Sequence, residues 1–336
     1  MHRLALACLL LAGPAAYAQD TAPADSLRQA LEELNELVVS EADSTVDVVA
    51  WYQPGETKTV EYTKTRIRDG VTNSSTSRYT IDVLEETAAG YTLRWSPQDG
   101  SAEIGEMLSE AGLADTTLAP VLENAAAFEF TYYTDDVGTY LALANRDSVV
   151  QVLQGVTEAV MSAMLDSLAG DERAAVESMV GSLMTPDRIV QSFTEPIQLF
   201  HLVIGYVYPL GEPWDYEDLL PSPFGGGYLE STGAALVTVS DGLIEYDRTT
   251  SVEPEDLRET MLAMVDQMAS SMPPERVEEA RAAFAAIQMR LEDRLNVVID
   301  AETGWTQSLE FRRTVEAEED GEQKMQVDLK TLRLVE

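Results

Sequence analysis

The chain has 336 residues, with 59 Asp or Glu against 22 Lys or Arg, so its formal net charge at pH 7 is -37. Nucleic acid and anionic membrane surfaces repel such a chain, which excludes both as expected partners. The bases are mostly arginine, and an acid excess with scarce lysine suits a protein adapted to high salt, where screening removes self-repulsion. A genome of high GC content would also favour arginine, so adaptation to salt is a hypothesis.

The first 18 residues have the pattern of a secretory signal peptide. His2 and Arg3 precede an apolar run from Leu4 to Ala16, and a small-x-small cleavage site ends at Ala18. The run is shorter than the roughly 20 residues that span a bilayer, so we predict no transmembrane segment. We expect cleavage near Ala18 and a periplasmic or secreted location. The only cysteine, Cys8, is removed with this segment, which excludes disulfides, thiolate metal sites and cysteine nucleophiles from the mature chain.

The first third of the mature chain is predicted to consist of a helix followed mainly by strands. Leucines at helical spacing predict an amphipathic helix that begins at Ser26. Alternating apolar and polar residues from Val46 to Pro97 predict half-buried antiparallel strands. Two short helices are expected between Ser101 and Ala126, followed by strands Phe128 to Tyr133 and Thr139 to Leu143.

The centre of the sequence changes to a helical period. An apolar stripe predicts a helix that begins near Asp147, with a second helix running on to Met184. The apolar run from Leu199 to Leu210 is predicted to be a buried strand or a helix end. Residues 209 to 229, which are rich in proline, glycine and aromatic side chains, are predicted to form a loop.

The last part of the chain carries the strongest hairpin signal. Asp241-Gly242 separates two strand-like runs, Ala234 to Val239 and Leu243 to Thr250. Helices are then predicted from Pro254 to about Ser270 and from Pro274 to about Ile287. Three further strands are expected beyond them, centred on Val297, Phe311 and Val327.

Strands at both ends with helices between them favour an α+β fold. Roughly eleven strands in one antiparallel sheet would twist strongly and would close or curl over a helical layer. We therefore predict a large curved antiparallel sheet, an open or half barrel, with helices packed across one face. Residues 19-336 are expected to form a single domain, with halves 19-208 and 209-336 as the alternative.

No catalytic or metal-binding motif stands out in the sequence. His201 is the only histidine of the mature chain, lies in an apolar run, and is predicted to be a core or interface residue. We therefore assign no catalytic residue, no metal ligand and no cofactor. Asp215, Glu217 and Asp218, beside two aromatic residues, leave open a carboxylate-dependent hydrolase, which needs two carboxylates facing each other across a cleft.

Methionine and aromatic residues are the candidates for a binding site. Met261, Met264, Met268 and Met272 follow helical spacing, and Met161 and Met164 belong to another helix. Flexible thioethers fill gaps in a core and also adapt to apolar ligands, so both interpretations stay open. The aromatic candidates are Trp214, Tyr216, Phe224 and Tyr228.

Two short segments resemble uncharacterised exported proteins of Bacteroidota-type bacteria. They are LGEPWDYEDLLPSPFGGGYLESTG, from Leu210 to Gly233, and DAETGWTQSLEF, from Asp300 to Phe311. The predicted order of strands around helices also resembles the lipoprotein-carrier half-barrel. That resemblance implies an apolar cavity between a curved sheet and its helices.

These observations favour an exported, non-enzymatic binding protein, with a hydrophobic or lipidic small molecule as its ligand. The first alternative is an envelope module that presents the aromatic loop to a partner protein. The second alternative is the carboxylate-dependent hydrolase.

Overall fold

The computed structural model describes residues 44-98, 128-155, 186-221, 228-268, 274-319 and 322-335. The predicted signal peptide, the helix predicted at Ser26 and the two helices predicted between Ser101 and Ala126 lie outside these residues. The helix predicted near Asp147 is present as α1, whose described part covers residues 146-155.

The described part of the chain holds thirteen strands and four helices. The strands are β1 (Thr45–Asp47), β2 (Thr57–Arg68), β3 (Val71–Thr87), β4 (Gly90–Pro97), β5 (Phe130–Thr134), β6 (Tyr140–Leu143), β7 (Val207–Pro209), β8 (Trp214–Pro221), β9 (Tyr228–Ser240), β10 (Leu243–Val252), β11 (Gln288–Asp300), β12 (Thr306–Glu319) and β13 (Glu322–Leu334). The other three helices are α2 (Pro186–Phe200), α3 (Pro254–Met268) and α4 (Pro274–Ala286).

Eleven of the strands form one antiparallel sheet, in the order β6-β5-β4-β3-β2-β13-β12-β11-β10-β9-β8. The two outermost strands, β6 and β8, do not pair with each other, so the curved sheet stays open. Strand β13 pairs with β2, from Leu334 opposite Val60 to Gln326 opposite Arg68. Early and late parts of the chain therefore meet in the middle of the sheet, and the predicted α+β fold is confirmed.

Tight hairpins account for much of this topology. At the β9-β10 turn, Asp241 and Gly242 have φ values of 52° and 77°. Asp69 and Gly70, between β2 and β3, have φ values of 50° and 78°. Two successive positive φ angles are what the two-residue hairpin turn requires, and Asp-Gly tolerates them. The predicted hairpin at Asp241-Gly242 is confirmed.

One face of the sheet, called the inner face below, carries the helices and two separate apolar clusters. Helix α3 contacts β9 and β11, α4 packs on α3, and α2 contacts β12. The first cluster includes Trp95, Phe200 and Leu309. The second cluster includes Leu257 and Phe284, which belong to the helices at the other end of the inner face.

The prediction of a loop over residues 209 to 229 is wrong for most of the described residues in this range, which are strand residues. Trp214–Pro221 is strand β8, which pairs with β9 from Trp214 opposite Ala235 to Pro221 opposite Tyr228. The flanking prolines suggested a loop, whereas the alternation of Trp214, Tyr216 and Leu220 is that of a strand with one face buried. Residues 222-227 lie outside the described part.

Helix α2 was not predicted, and its sequence explains why. It contains Pro196, a residue that normally interrupts a helix. Val190, Phe193, Ile197 and Phe200 nevertheless follow a helical period, and the structure buries them or packs them against the first cluster. The run predicted from Leu199 to Leu210 divides into the end of α2, a turn over residues 201-205, and β7.

Candidate ligand site on the inner face of the sheet

His201 is a core residue, as the sequence predicted. Its Nδ1 lies 2.9 Å from the carbonyl oxygen of Gly138, and its Nε2 lies 3.1 Å from the Tyr132 hydroxyl. Because a carbonyl only accepts, Nδ1 carries the proton and Nε2 accepts from the tyrosine. Burial lowers the pKa of His201 to about 4. The ring is therefore neutral at physiological pH and links β5 to the end of α2.

Of the six candidate methionines, Met261 alone has a side chain in the described part of the chain. Met261 is fully buried in the second cluster, beside Leu257 and Val265 of the same helix. Met264 and Met268 lie in α3, but their side chains are outside the described part, as are Met161, Met164 and Met272 in full. The environment of Met261 is that of an ordinary core residue.

The aromatic candidates are divided between two places. Trp214 and Tyr216 lie on the inner face of β8 and pack against the first cluster. The Tyr216 hydroxyl bonds to Thr250, and the Trp214 ring lies 6.5 Å from that of Tyr246. Tyr228 begins β9 on the opposite face, and Phe224 lies outside the described residues. Trp214 and Tyr216 are thus together, but apart from Met261 and Tyr228.

The carboxylates suggested for a hydrolase do not face one another. Asp215 and Glu217 are exposed on the outer face of β8, whereas Asp218 points to the inner face. Asp218 lies 3.6 Å from the Arg248 guanidinium. Two carboxylates across a cleft, which glycoside hydrolysis requires, are therefore not formed by these three residues.

A row of charged residues separates the two apolar clusters. Asp293 stands opposite Arg313, Arg313 opposite Asp328, and Asp328 opposite Arg66, on four neighbouring strands from β11 to β2. Arg313 donates two hydrogen bonds to Asp293, at 2.8 and 2.6 Å, and Arg66 donates one to Asp328 at 2.7 Å. Charges alternate in sign along the row, which favours this strand register over others.

A second group of charges lies next to this row, toward the first cluster. Lys330 of β13 is buried and forms an ion pair with Glu195, which α2 brings over the sheet. The Tyr62 hydroxyl donates to the other oxygen of Glu195 at 3.3 Å. Burial, together with the positive charges of Lys64 and Arg313, lowers the pKa of Lys330 to about 8, although Glu195 opposes the shift.

Lys64 of β2 completes this group. It stands directly opposite Lys330 on the neighbouring strand and is half-buried. Within the described ranges, Lys64 makes no ion pair. Among the described residues, the middle of the inner face therefore holds four positive charges against three negative ones, in a chain of net charge -37. The positive residues are Lys64, Arg66, Arg313 and Lys330, and the negative ones are Asp293, Asp328 and Glu195.

Sequence reasoning missed this group, although the pattern contains a signal for it. In β11 the inner-facing residues are Leu291, Asp293 and Leu295, so a carboxylate occupies a position where the strand period demands an apolar side chain. Arg313 and Lys330 interrupt β12 and β13 in the same way. A charge at a core position is unusual enough to mark a candidate site.

A different surface lies at the end of the sheet that contains the β9-β10 turn. A shallow pocket there is lined by residues that include Val49, Trp51 and Ala301. Trp51 is 59% exposed, and Tyr206 and Val207 nearby are also exposed. Tyr206 and Val207 lie near Trp51 because β7 pairs with β1, which ends four residues before Trp51. This end of the molecule therefore exposes apolar side chains beside two carboxylates, those of Asp47 and Asp300.

Other types of site have no candidate in the described part of the chain. Across the described ranges, no three His, Cys, Asp or Glu side chains are grouped so that they could hold a metal ion. No helix in the same part of the chain is long and apolar enough to cross a membrane.

The fold defines an α+β protein built on an open, curved antiparallel sheet. No protein-family model matches the sequence, and no curated protein sequence matches it. Among solved structures, the chain is similar to one described as "lipid-protein interactions in lipovitellin", with a TM-score of 0.38 and 8% sequence identity. The matched region covers 85% of this chain and 26% of the lipovitellin chain.

Proposed function

We propose that this chain is an exported, non-enzymatic binding protein that holds a hydrophobic or lipidic ligand against the inner face of its open sheet. One observation carries the proposal. Along the strands of one unbroken sheet, the side chains of the inner face are first apolar, then charged, then apolar again. In β11, Leu295 belongs to the first cluster, Leu291 to the second, and Asp293 lies between them. An inner face of this kind matches an amphiphile better than it matches a wholly apolar or a wholly polar ligand.

The half-buried apolar residues of β12 offer the surface for such a ligand. Val315 and Ala317 pack at the border of the second cluster while keeping part of their area exposed. Both lie on the inner face, because Val315 stands opposite Leu291 and Ala317 opposite Met289. Covering exposed apolar area is worth about 25 cal/mol per Å², so a ligand chain placed here gains affinity.

Native mass spectrometry of the chain purified from its own cells, followed by solvent extraction, tests the proposal. We expect a discrete adduct of lipid size. The sharper test compares two substitutions in neighbouring residues: Val315→Asp on the inner face and Thr314→Asp on the outer face. Val315→Asp should remove the adduct and Thr314→Asp should keep it, with thermal unfolding checking that both variants fold. A bare wild-type chain from a native preparation would contradict the proposal.

The second candidate function is a cell-envelope interaction module, and the exposed apolar end around Trp51 favours it. The predicted aromatic loop no longer supports this function, because Trp214 and Tyr216 are part of the sheet. A photocrosslinking residue at position 51 tests it in the producing cells, with position 71 as the control. Val71 is similarly exposed, at 62%, but lies at the turn between β2 and β3. One discrete crosslinked protein at position 51 alone would support the module, and identical patterns at both positions would refute it.

A further inference from the structure

Two lysines stand side by side at the centre of the inner face. Lys64 and Lys330 are directly opposite in the antiparallel pair of β2 and β13. Directly opposite residues of such a pair have Cβ atoms about 5 Å apart, and like charges there are destabilising. The chain has 59 acidic residues and 22 basic ones, so its composition does not explain why two lysines are neighbours here.

Only one of the two ammonium groups is neutralised by the described part of the chain. Glu195 pairs with Lys330, and its second oxygen accepts from Tyr62. Lys64 faces the uncharged Ser75 on its other side, in β3, and has no carboxylate partner among the described residues. Asp328, the nearest acid along β13, is already engaged by Arg66. Among the described residues, the Lys64 ammonium is thus without a counter-charge on the inner face.

The two lysines also lie beside an apolar surface. Lys330 stands opposite Phe311 of β12, and its Nζ lies 5.3 Å from the centre of that ring. Val315 is on the same face of β12, four residues further along the strand, or about 14 Å at the usual rise. A head held beside the lysines can therefore extend a chain of about ten carbons over β12 to Val315. The chain passes over Arg313, whose charge is neutralised by its two hydrogen bonds to Asp293.

We propose that Lys64, with Lys330 beside it, forms the subsite for the acidic head of an amphiphilic ligand, a phosphate or carboxylate attached to a hydrocarbon chain that extends over β12 to Val315. The inference rests on the proposed binding function and names the class of ligand. The anion accepts hydrogen bonds from the Lys64 ammonium, which is only half-buried, and supplies the counter-charge that Lys64 lacks. The charge of the buried Lys330 beside it adds to the attraction. Glu195 holds Lys330 in place and, as a fixed negative charge, disfavours a second acidic group.

Calorimetric titration of the full mature chain at low ionic strength tests this subsite with three probes. They are dodecyl phosphate, inorganic phosphate alone, and dodecyl maltoside as an amphiphile without charge. Lys64→Gln is the test variant, and Lys58→Gln is the matched control. Lys58 lies on the same face of the same strand, six residues away, and is paired with Glu56.

We expect dodecyl phosphate to bind most tightly of the three probes, and Lys64→Gln to weaken its binding by about tenfold or more. Lys58→Gln should leave it unchanged within about twofold, and neither variant should alter the binding of dodecyl maltoside. Because Lys64→Gln removes a repulsion, that variant should unfold at the same temperature as wild type or higher. Weak binding therefore cannot be attributed to misfolding.

The other outcomes separate the subsite from the function. If dodecyl phosphate and dodecyl maltoside bind equally well to wild type and to Lys64→Gln, the subsite is refuted while the binding function stands. If inorganic phosphate binds as tightly as dodecyl phosphate and is lost in Lys64→Gln, the anion site is real but the hydrophobic function fails. If none of the probes binds, both inferences are overturned.

Discussion

Glu195 of α2 and Lys330 of β13 form an ion pair that joins a helix to the middle of the sheet, and the two residues are only 7% and 1% exposed. Removing one partner of a buried pair leaves the other charge without compensation. We therefore expect Lys330→Met to lower the free energy of unfolding by about 3 to 5 kcal/mol. Urea denaturation of the variant and of wild type, at the same pH and salt concentration, measures the difference.

The double variant Glu195→Leu, Lys330→Met provides the control for this prediction. It removes both charges and replaces them with apolar side chains, a change that is often neutral or stabilising for buried pairs. Stability should therefore return most of the way to that of wild type. Additive losses in the double variant would show that the two residues act independently, which contradicts a coupled pair.

His201 is expected to make stability depend on pH. Burial lowers the pKa of His201 from 6.5 to about 4 in the folded chain, so between these values the unfolded chain binds the proton and the folded chain does not. The contribution of His201 to the free energy of unfolding is thus fully present above pH 6.5. As the pH falls toward 4, this contribution is lost, which lowers the free energy of unfolding by about 3 kcal/mol.

Unfolding free energies of wild type and His201→Gln, measured in steps between pH 7 and pH 4.5, isolate this contribution. The variant is destabilised at pH 7, because it loses bonds to Tyr132 and Gly138. The difference between the two proteins should shrink as the pH falls, since the variant has no imidazole to protonate. A difference that stays constant over this range would rule out titration of a buried His201.

The sheet was predictable because its strands are amphipathic and its turns carry distinctive residues. Alternation in β3 and β4, and Asp-Gly at the β9-β10 turn, follow from backbone geometry that the local sequence determines. Helix α2 was not predictable in the same way, since Pro196 argues against a helix locally while packing on the first cluster stabilises it. Tertiary contacts here outweigh local propensity.

The candidate site was predictable only in part. Methionines and aromatic residues drew attention because they are conspicuous in the sequence, whereas the site residues Lys64 and Lys330 are far apart in the chain. They become neighbours only when β13 pairs with β2, a contact between opposite ends of the sequence. Such long-range pairing leaves no local pattern, although a buried charge such as Asp293 inside an apolar strand does.

Met261 allows a direct test of the core interpretation of the methionine stripe. The side chain is fully buried in the second cluster, so Met261→Ala leaves a cavity and should lower the free energy of unfolding by about 2 to 5 kcal/mol. Met261→Leu preserves most of the volume and should cost less than about 1.5 kcal/mol. Binding of dodecyl phosphate, measured well below the unfolding temperature, should be the same in Met261→Leu as in wild type. A tenfold loss of affinity for dodecyl phosphate in Met261→Leu would instead assign Met261 to the ligand site.

Gly233 of β9 occupies a position at which a larger side chain cannot be accommodated. It stands between Tyr216 and Thr250 on neighbouring strands. A Cβ atom at this position would lie 2.3 Å from the backbone oxygen of Thr249 and 2.5 Å from the Tyr216 hydroxyl oxygen. The first of these atoms is backbone and cannot rotate away, so strand β9 or β10 would have to shift.

We therefore expect Gly233→Ala to destabilise the chain by about 1 to 3 kcal/mol, even though alanine normally suits a strand better than glycine does. Thermal and urea unfolding measure the loss. Gly155→Ala in α1 is the control, because no atom of the described residues lies within 4 Å of its added Cβ and alanine favours a helix. That variant should be as stable as wild type or more stable. Tyr216→Phe combined with Gly233→Ala should recover little, since the contact with Thr249 remains; full recovery would show that the tyrosine hydroxyl, not the backbone, sets the limit.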